Sequence, residues 1–187
     1  MTGLSKLLNT KSMILTALFA ALCAAGAFIK IYVGTVPITL QLLFTTLAGL
    51  LLGKERGMLA VALYIFIGLA GVPVFAGGGG ISYLLQPSIG YLIGMMFGAY
   101  AAGAIYEKGQ GSLRSLIFAC AVNMVIVYLL GLLFLHLITS YYTKTPMTAE
   151  TLFVSGCLIF IPGDIICCGA SAVLAKRLKP MIESYLT

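Results

Sequence analysis

Residues 152–177 read LFVSGCLIFIPGDIICCGASAVLAKR. This is an apolar run long enough to cross a bilayer, for which about 20 residues suffice, and it ends on the basic pair Lys176-Arg177. One carboxylate, Asp164, interrupts it, between Pro162-Gly163 and Cys167-Cys168. A charge at membrane depth costs on the order of 2.5–3.5 kcal/mol on insertion scales. Asp164 is therefore neutral, or satisfied by neutral donors, or held in place for a ligand. The adjacent proline removes a backbone donor and bends or breaks the helix, freeing carbonyl groups. A broken helix beside a lone carboxylate has the form of a midplane binding site.

The rest of the chain agrees with a membrane reading. Of 187 residues, 61% are hydrophobic and 9% charged, with a mean hydropathy of +1.11, against roughly 25% charged in soluble domains. Six apolar stretches stand out, at 12–31, 38–53, 57–72, 88–106, 113–139 and 151–175. They predict an all-α integral membrane protein, a six-transmembrane-helix bundle forming a single membrane domain over 1–187. The second and third stretches are short for a span, so neighbours must shield their ends. The first follows Lys6 and Lys11 and passes Ala25-Gly26-Ala27, but its apolar run is too long for the core of a cleaved leader.

With both termini in the cytoplasm, nine cations fall inside (Lys6, Lys11, Lys54, Arg56, Lys108, Arg114, Lys176, Arg177, Lys179) and two outside (Lys30, Lys144). That bias sets the orientation. The net charge of +6 comes from these short loops; with no dense basic run or basic helix face, it argues against nucleic acid. Five cysteines lie within apolar stretches without metal-ligand spacing to His136, so neither a metal nor a cofactor is expected.

The connection 72–87, VPVFAGGGGISYLLQP, carries no charge and four consecutive glycines, Gly77 to Gly80. It is too apolar for a solvated loop and is expected to fold back over the external mouth or re-enter the membrane. Without a Walker lysine or a strand–helix context it is not a phosphate loop.

Counting 1.5 Å per residue from the inner ends puts Asp164 and Asn123 both near the middle of a ~30 Å hydrocarbon core. Gln41 and Tyr91 fall near the outer ends of their spans, and Tyr128 lies outward of Asn123. Asn123 is open between interhelical glue and ligand contact. In the first span Ala17, Ala21 and Ala25 recur every fourth residue, a smooth stripe that lets another helix approach closely, whether internal or from a second subunit.

Three stretches together, VGTVPITLQLLFTTLAGLLLGKERG (33–57), GLAGVPVFAGGGGISYLLQPSIGYLIG (68–94) and FIPGDIICC (160–168), resemble the BioY family of biotin-specific S-components of energy-coupling-factor (ECF) transporters. The resemblance runs over nearly the whole chain and implies a six-helix substrate-binding subunit in a prokaryotic plasma membrane. It implies biotin as substrate and, as partners, a transmembrane coupling protein and two cytoplasmic ATPases. The stripe at Ala17, Ala21 and Ala25 resembles the S-component contact for the coupling protein. Many relatives are expected to carry a lysine where this chain has Cys167, so another donor is needed here.

The ligand chemistry is consistent with this. Asp164 can accept from the two N–H groups of the biotin ureido ring, and Asn123 or Gln41 can donate to its carbonyl. Phe75, Tyr83, Tyr91 and Tyr128 supply apolar walls. For the carboxylate tail, backbone N–H groups of the glycine loop, at Gly77 and Gly78, and Lys30 are alternatives. Three other readings stand beside this one: a proton-coupled secondary transporter with Asp164 as proton carrier, a membrane redox enzyme using Cys167-Cys168, and a structural subunit of a larger complex.

Overall fold

A computed structural model describes residues 9–32 and 36–186. Lys6 of the charge count and Val33-Gly34-Thr35 of the first motif lie outside the described residues. The apolar stretches become six helical passes. The first three are α1 (Thr10–Phe28), α2 (Gln41–Leu52) and α3 (Lys54–Leu69). Next come α4 (Ile89–Lys108) and α5 (Leu113–Leu137), which continues as a π-helical turn over Ile138–Tyr142. The sixth pass is assembled from α6 (Ala149–Phe153), a π turn over Val154–Leu158, and α7 (Ile161–Leu186). By length and apolarity α1, α4, α5 with its extension, and the composite sixth pass each suffice to cross a bilayer.

α2 explains how the short second pass is accommodated. Its 12 residues rise only about 18 Å, less than a hydrocarbon core. It is also apolar on nearly every side and buried at ten of its positions, as a helix at the centre of a bundle must be. Around it pack α1, α3, α4 and α7, while α4 lies along α5. Lys179, on α7, donates to the Leu50 and Leu51 carbonyls at 3.2 and 3.1 Å, placing a cation on the carbonyl end of α2 where the helix dipole favours it. On the same side Glu107 accepts from the Lys54 backbone N–H at 3.2 Å and caps α3.

Two features depart from an uninterrupted helical reading. The expected first and second spans, 12–31 and 38–53, overrun into a short antiparallel ribbon. It pairs β1 (Lys30–Tyr32) with β2 (Pro37–Thr39) in the register Lys30↔Thr39, Ile31↔Ile38, Tyr32↔Pro37. Pro37 has no N–H to give a helix, and its β-branched neighbours suit a strand. The sixth span breaks one turn before Pro162, at Ile159-Phe160. Pro162 itself sits in the first turn of α7, where a missing N–H costs nothing.

The ribbon and the connection between α3 and α4 lie at the same end of the bundle, opposite the two terminal segments. There the connection folds inward as a loop: Phe75, Ala76 and Tyr83 are buried, and Ile81–Leu85 forms a 3-10 turn. Its anchor is Phe75, whose ring lies flat on Gly68 of α3 so closely that a Cβ there would enter it. Tyr64 meets the same ring edge-on at 5.4 Å and Tyr83 packs on it at 4.4 Å.

Candidate binding site

Beneath this loop is a cavity lined by α2, α4, α5, the sixth pass, the ribbon and the loop. α2 contributes Gln41 and Leu42, and α4 contributes Tyr91, Leu92 and Met95. α5 supplies Val127 and Tyr128, the sixth pass Phe160 and Asp164, the ribbon Pro37 and Thr39, and the loop Ala76 and Tyr83. The walls are apolar, with a few converging polar groups, the usual make-up of a small-molecule site. In this closed form its volume is about 40 Å³, room for a water or two. A second opening of about 300 Å³ lies between the ribbon and α7. Asp164 and Thr39 line both, so the two compartments adjoin at these residues.

Asp164 is 8% exposed and stands in the first turn of α7. The positive end of the helix dipole favours a carboxylate there, which the break at Ile159-Phe160 makes possible. Tyr128 of α5 donates its hydroxyl to Asp164 Oδ2 at 2.5 Å. A neutral donor thus satisfies one lone pair, and a carboxylate retains others for a further partner. The residue count from the membrane edge puts Asp164 and Asn123 both near mid-depth; the structure bonds Asp164 to Tyr128 instead of to Asn123, and α7 runs on past Lys176 to Leu186.

Gln41 occupies the cavity wall with its amide in use. Its Nε2 donates to the Tyr64 hydroxyl at 2.7 Å, and its Oε1 accepts from Thr39 Oγ1 at 3.1 Å. Tyr64 in turn donates to the Val74 carbonyl at 3.2 Å, tying the cavity floor to the root of the loop. One N–H and one lone pair of the Gln41 amide remain. Tyr91 lines the wall and donates to the Gly156 carbonyl at 2.5 Å, a carbonyl in the π turn that precedes the helix break. Tyr83 lines the wall and accepts from Ser88 Oγ at 3.0 Å. Burial pushes its phenol above the ordinary value, so it stays a neutral hydroxyl.

Four residues expected at the site do not line this cavity. Asn123 is fully buried away from the cavity, donating to Thr46 Oγ1 at 2.7 Å and facing Gly98. It bonds α5 to α2, and of its two open readings the structure displays the interhelical one. Phe75 stands behind the wall as the loop's anchor. Gly77 and Gly78 shape the loop instead of lining the cavity: Gly78 takes φ +116° to close the Phe75–Gly78 turn, and the lining residue is Ala76. The sequence reading did not pick out Phe160, Thr39, Ser88 or Met95. Phe160 had a signal, since it precedes Asp164 by four residues and so shares its helix face.

The alanines lie on a different surface. Ala17, Ala21 and Ala25 are exposed, in a groove between α1 and α3 bordered by Leu63, Ile67 and Val74. The five cysteines are buried and unbridged. Among the described residues no His, Cys, Asp and Glu cluster has the make-up of a metal site.

Among solved structures, one described as the S-component for biotin from an ECF-type ABC transporter matches this fold with a TM-score of 0.82 and 30% identity, covering all of both chains. The arrangement is thus that of an S-component, a membrane-embedded substrate-binding subunit. The sequence comparisons are narrower. A profile described as the BioY family matches residues 1–184. The "Probable biotin transporter BioY" of Lysinibacillus sphaericus is 38% identical over 177 residues, covering 94% of this chain and 90% of the relative. The "Biotin transporter BioY" of Thermotoga maritima is 36% identical over 172 residues, covering 91% and 97%. The chain belongs to the BioY family.

Proposed function

We propose that the chain captures biotin outside the cell and delivers it through an ECF-type transporter. In that assembly a transmembrane coupling protein and two cytoplasmic ATPases supply the energy. The observation that carries this reading is the Asp164–Tyr128 pair at the wall of a loop-covered, otherwise apolar cavity. The ureido N–H groups donate to Asp164, held in place by Tyr128, and the free N–H of Gln41 reaches the ureido carbonyl. Tyr83, Tyr91 and Phe160 flank the bicyclic ring. The cavity widens when the loop carrying Ala76 and Tyr83 lifts, because Gly78 and Gly80 permit backbone rotations other residues resist.

Both termini face the cytoplasm and the loop faces outward, as the nine-to-two distribution of cations requires. The exposed alanine groove on α1 receives the coupling protein. The subunit itself binds without catalysis and takes no cofactor. The S-component match leaves a proton-coupled carrier without an observation in its favour.

The test is equilibrium binding of radiolabelled biotin to the purified protein in detergent, since the chain has no tryptophan to report binding. Saturable binding of one biotin per chain is expected. A folded sample that binds none overturns the reading.

A further inference from the structure

The groove between the ribbon and α7 is lined by a charged group from each side and by hydrocarbon. Asp164 comes from α7 and Lys30 from β1; Ile31, Ile38 and Ile166 lie along it. Lys30 is a cation held by neutral partners. Its ammonium donates to the Ala76 carbonyl and lies 5.5 Å from the centre of the Tyr32 ring. Tyr32 donates to the same carbonyl at 2.9 Å. An ammonium has three donors, so the Ala76 bond leaves capacity for an anion. Ala76, with Tyr83, is also a loop residue that lines the inner cavity, so the Lys30–Ala76 contact borders both compartments.

The glycine loop offers less. The Gly78 N–H is bonded to the Phe75 carbonyl at 3.1 Å and the Gly80 N–H to the Gly68 carbonyl at 2.7 Å. These groups are committed to the loop's own fold.

We infer that Lys30 receives the carboxylate of the substrate, whose aliphatic tail runs along the isoleucine-lined groove while its polar ring is held at Asp164. The inference rests on the biotin reading above and assigns it a specificity-determining residue. A ligand with a hydrogen-bond-donating ring, an anion and methylenes matches the kinds of group that line the groove, a carboxylate, a cation and isoleucines.

The experiment compares biotin with biotinamide, which keeps the ring and the chain and lacks the charge, on wild type, Lys30→Met and Lys30→Arg. An exposed charge pair is worth about 0.2–1 kcal/mol, up to about fivefold in affinity. The wild type is expected to prefer the acid by about that factor, more at low ionic strength. Lys30→Met should lose the preference for the acid over biotinamide, whatever the lost Ala76 bond costs both ligands alike, and Lys30→Arg should keep it. A Lys30→Met protein that still prefers the acid overturns the inference. So does one that weakens both ligands equally, which would make Lys30 a loop latch alone. Wild type that binds neither ligand overturns the biotin reading itself and this inference with it, a failure told apart from the others by the unmutated protein.

Discussion

Replacing Asp164 with Asn changes one oxygen to an amide nitrogen and nothing in volume, so it asks directly whether the carboxylate reads the ligand. In the structure Tyr128 occupies one lone pair of Oδ2 at 2.5 Å. A carboxylate offers about four such sites, leaving enough for both ureido N–H groups. The Asn side chain has one acceptor oxygen with two lone pairs. Tyr128 takes one, a single ligand N–H takes the other, and the new NH₂ opposes the second ligand N–H. Asp164→Asn thus loses at least one hydrogen bond to a charged group, about 1.5–3 kcal/mol. At 1.4 kcal/mol per decade that is a loss of roughly 10- to 100-fold in biotin affinity. Equilibrium binding of radiolabelled biotin measures it, with helical content and thermal unfolding in detergent as controls. The Tyr128 bond survives the change, so the fold should hold. An affinity within about threefold of wild type in a folded sample would refute the role assigned to Asp164.

Other perturbations separate the cavity from its supports. Asn123→Ala removes a buried bond to Thr46 and should lower stability by ~1–3 kcal/mol, seen as earlier thermal unfolding, with little change in biotin affinity. Gly68→Ala places a methyl group in the Phe75 ring and should cost about 1–3 kcal/mol of strain at the loop anchor; biotin dissociation should quicken while helicity is unchanged. Ala21→Trp fills the exposed groove on α1; it should leave biotin binding intact and abolish co-purification with the coupling protein and ATPases.

Much of the architecture is legible in linear form because a bilayer imposes its own rule. Backbone polar groups within hydrocarbon must be bonded inside the protein, so long uncharged runs become helices, and the six apolar stretches do. A lone carboxylate at depth is costly, which is why Asp164 could be singled out without coordinates. The uncharged glycine-rich connection was recognisable as a buried cover for the same reason.

What the tertiary structure decided is which side chains meet. Asn123 and Asp164 both read as deep polar residues, yet one bonds α2 to α5 and the other lines the cavity with Tyr128. Depth counted along a helix carries no information about its stagger or rotation against a neighbour, and those are set by packing. The Lys30–Ala76 contact joins residues 46 apart in sequence, through a ribbon that no hydropathy pattern announces. Apolar spacing prescribes helices and their insertion; only the packed bundle, where close contacts such as Phe75 on Gly68 fix the loop's position, brings Asp164 to Tyr128 in one cavity and to the groove that Lys30 lines.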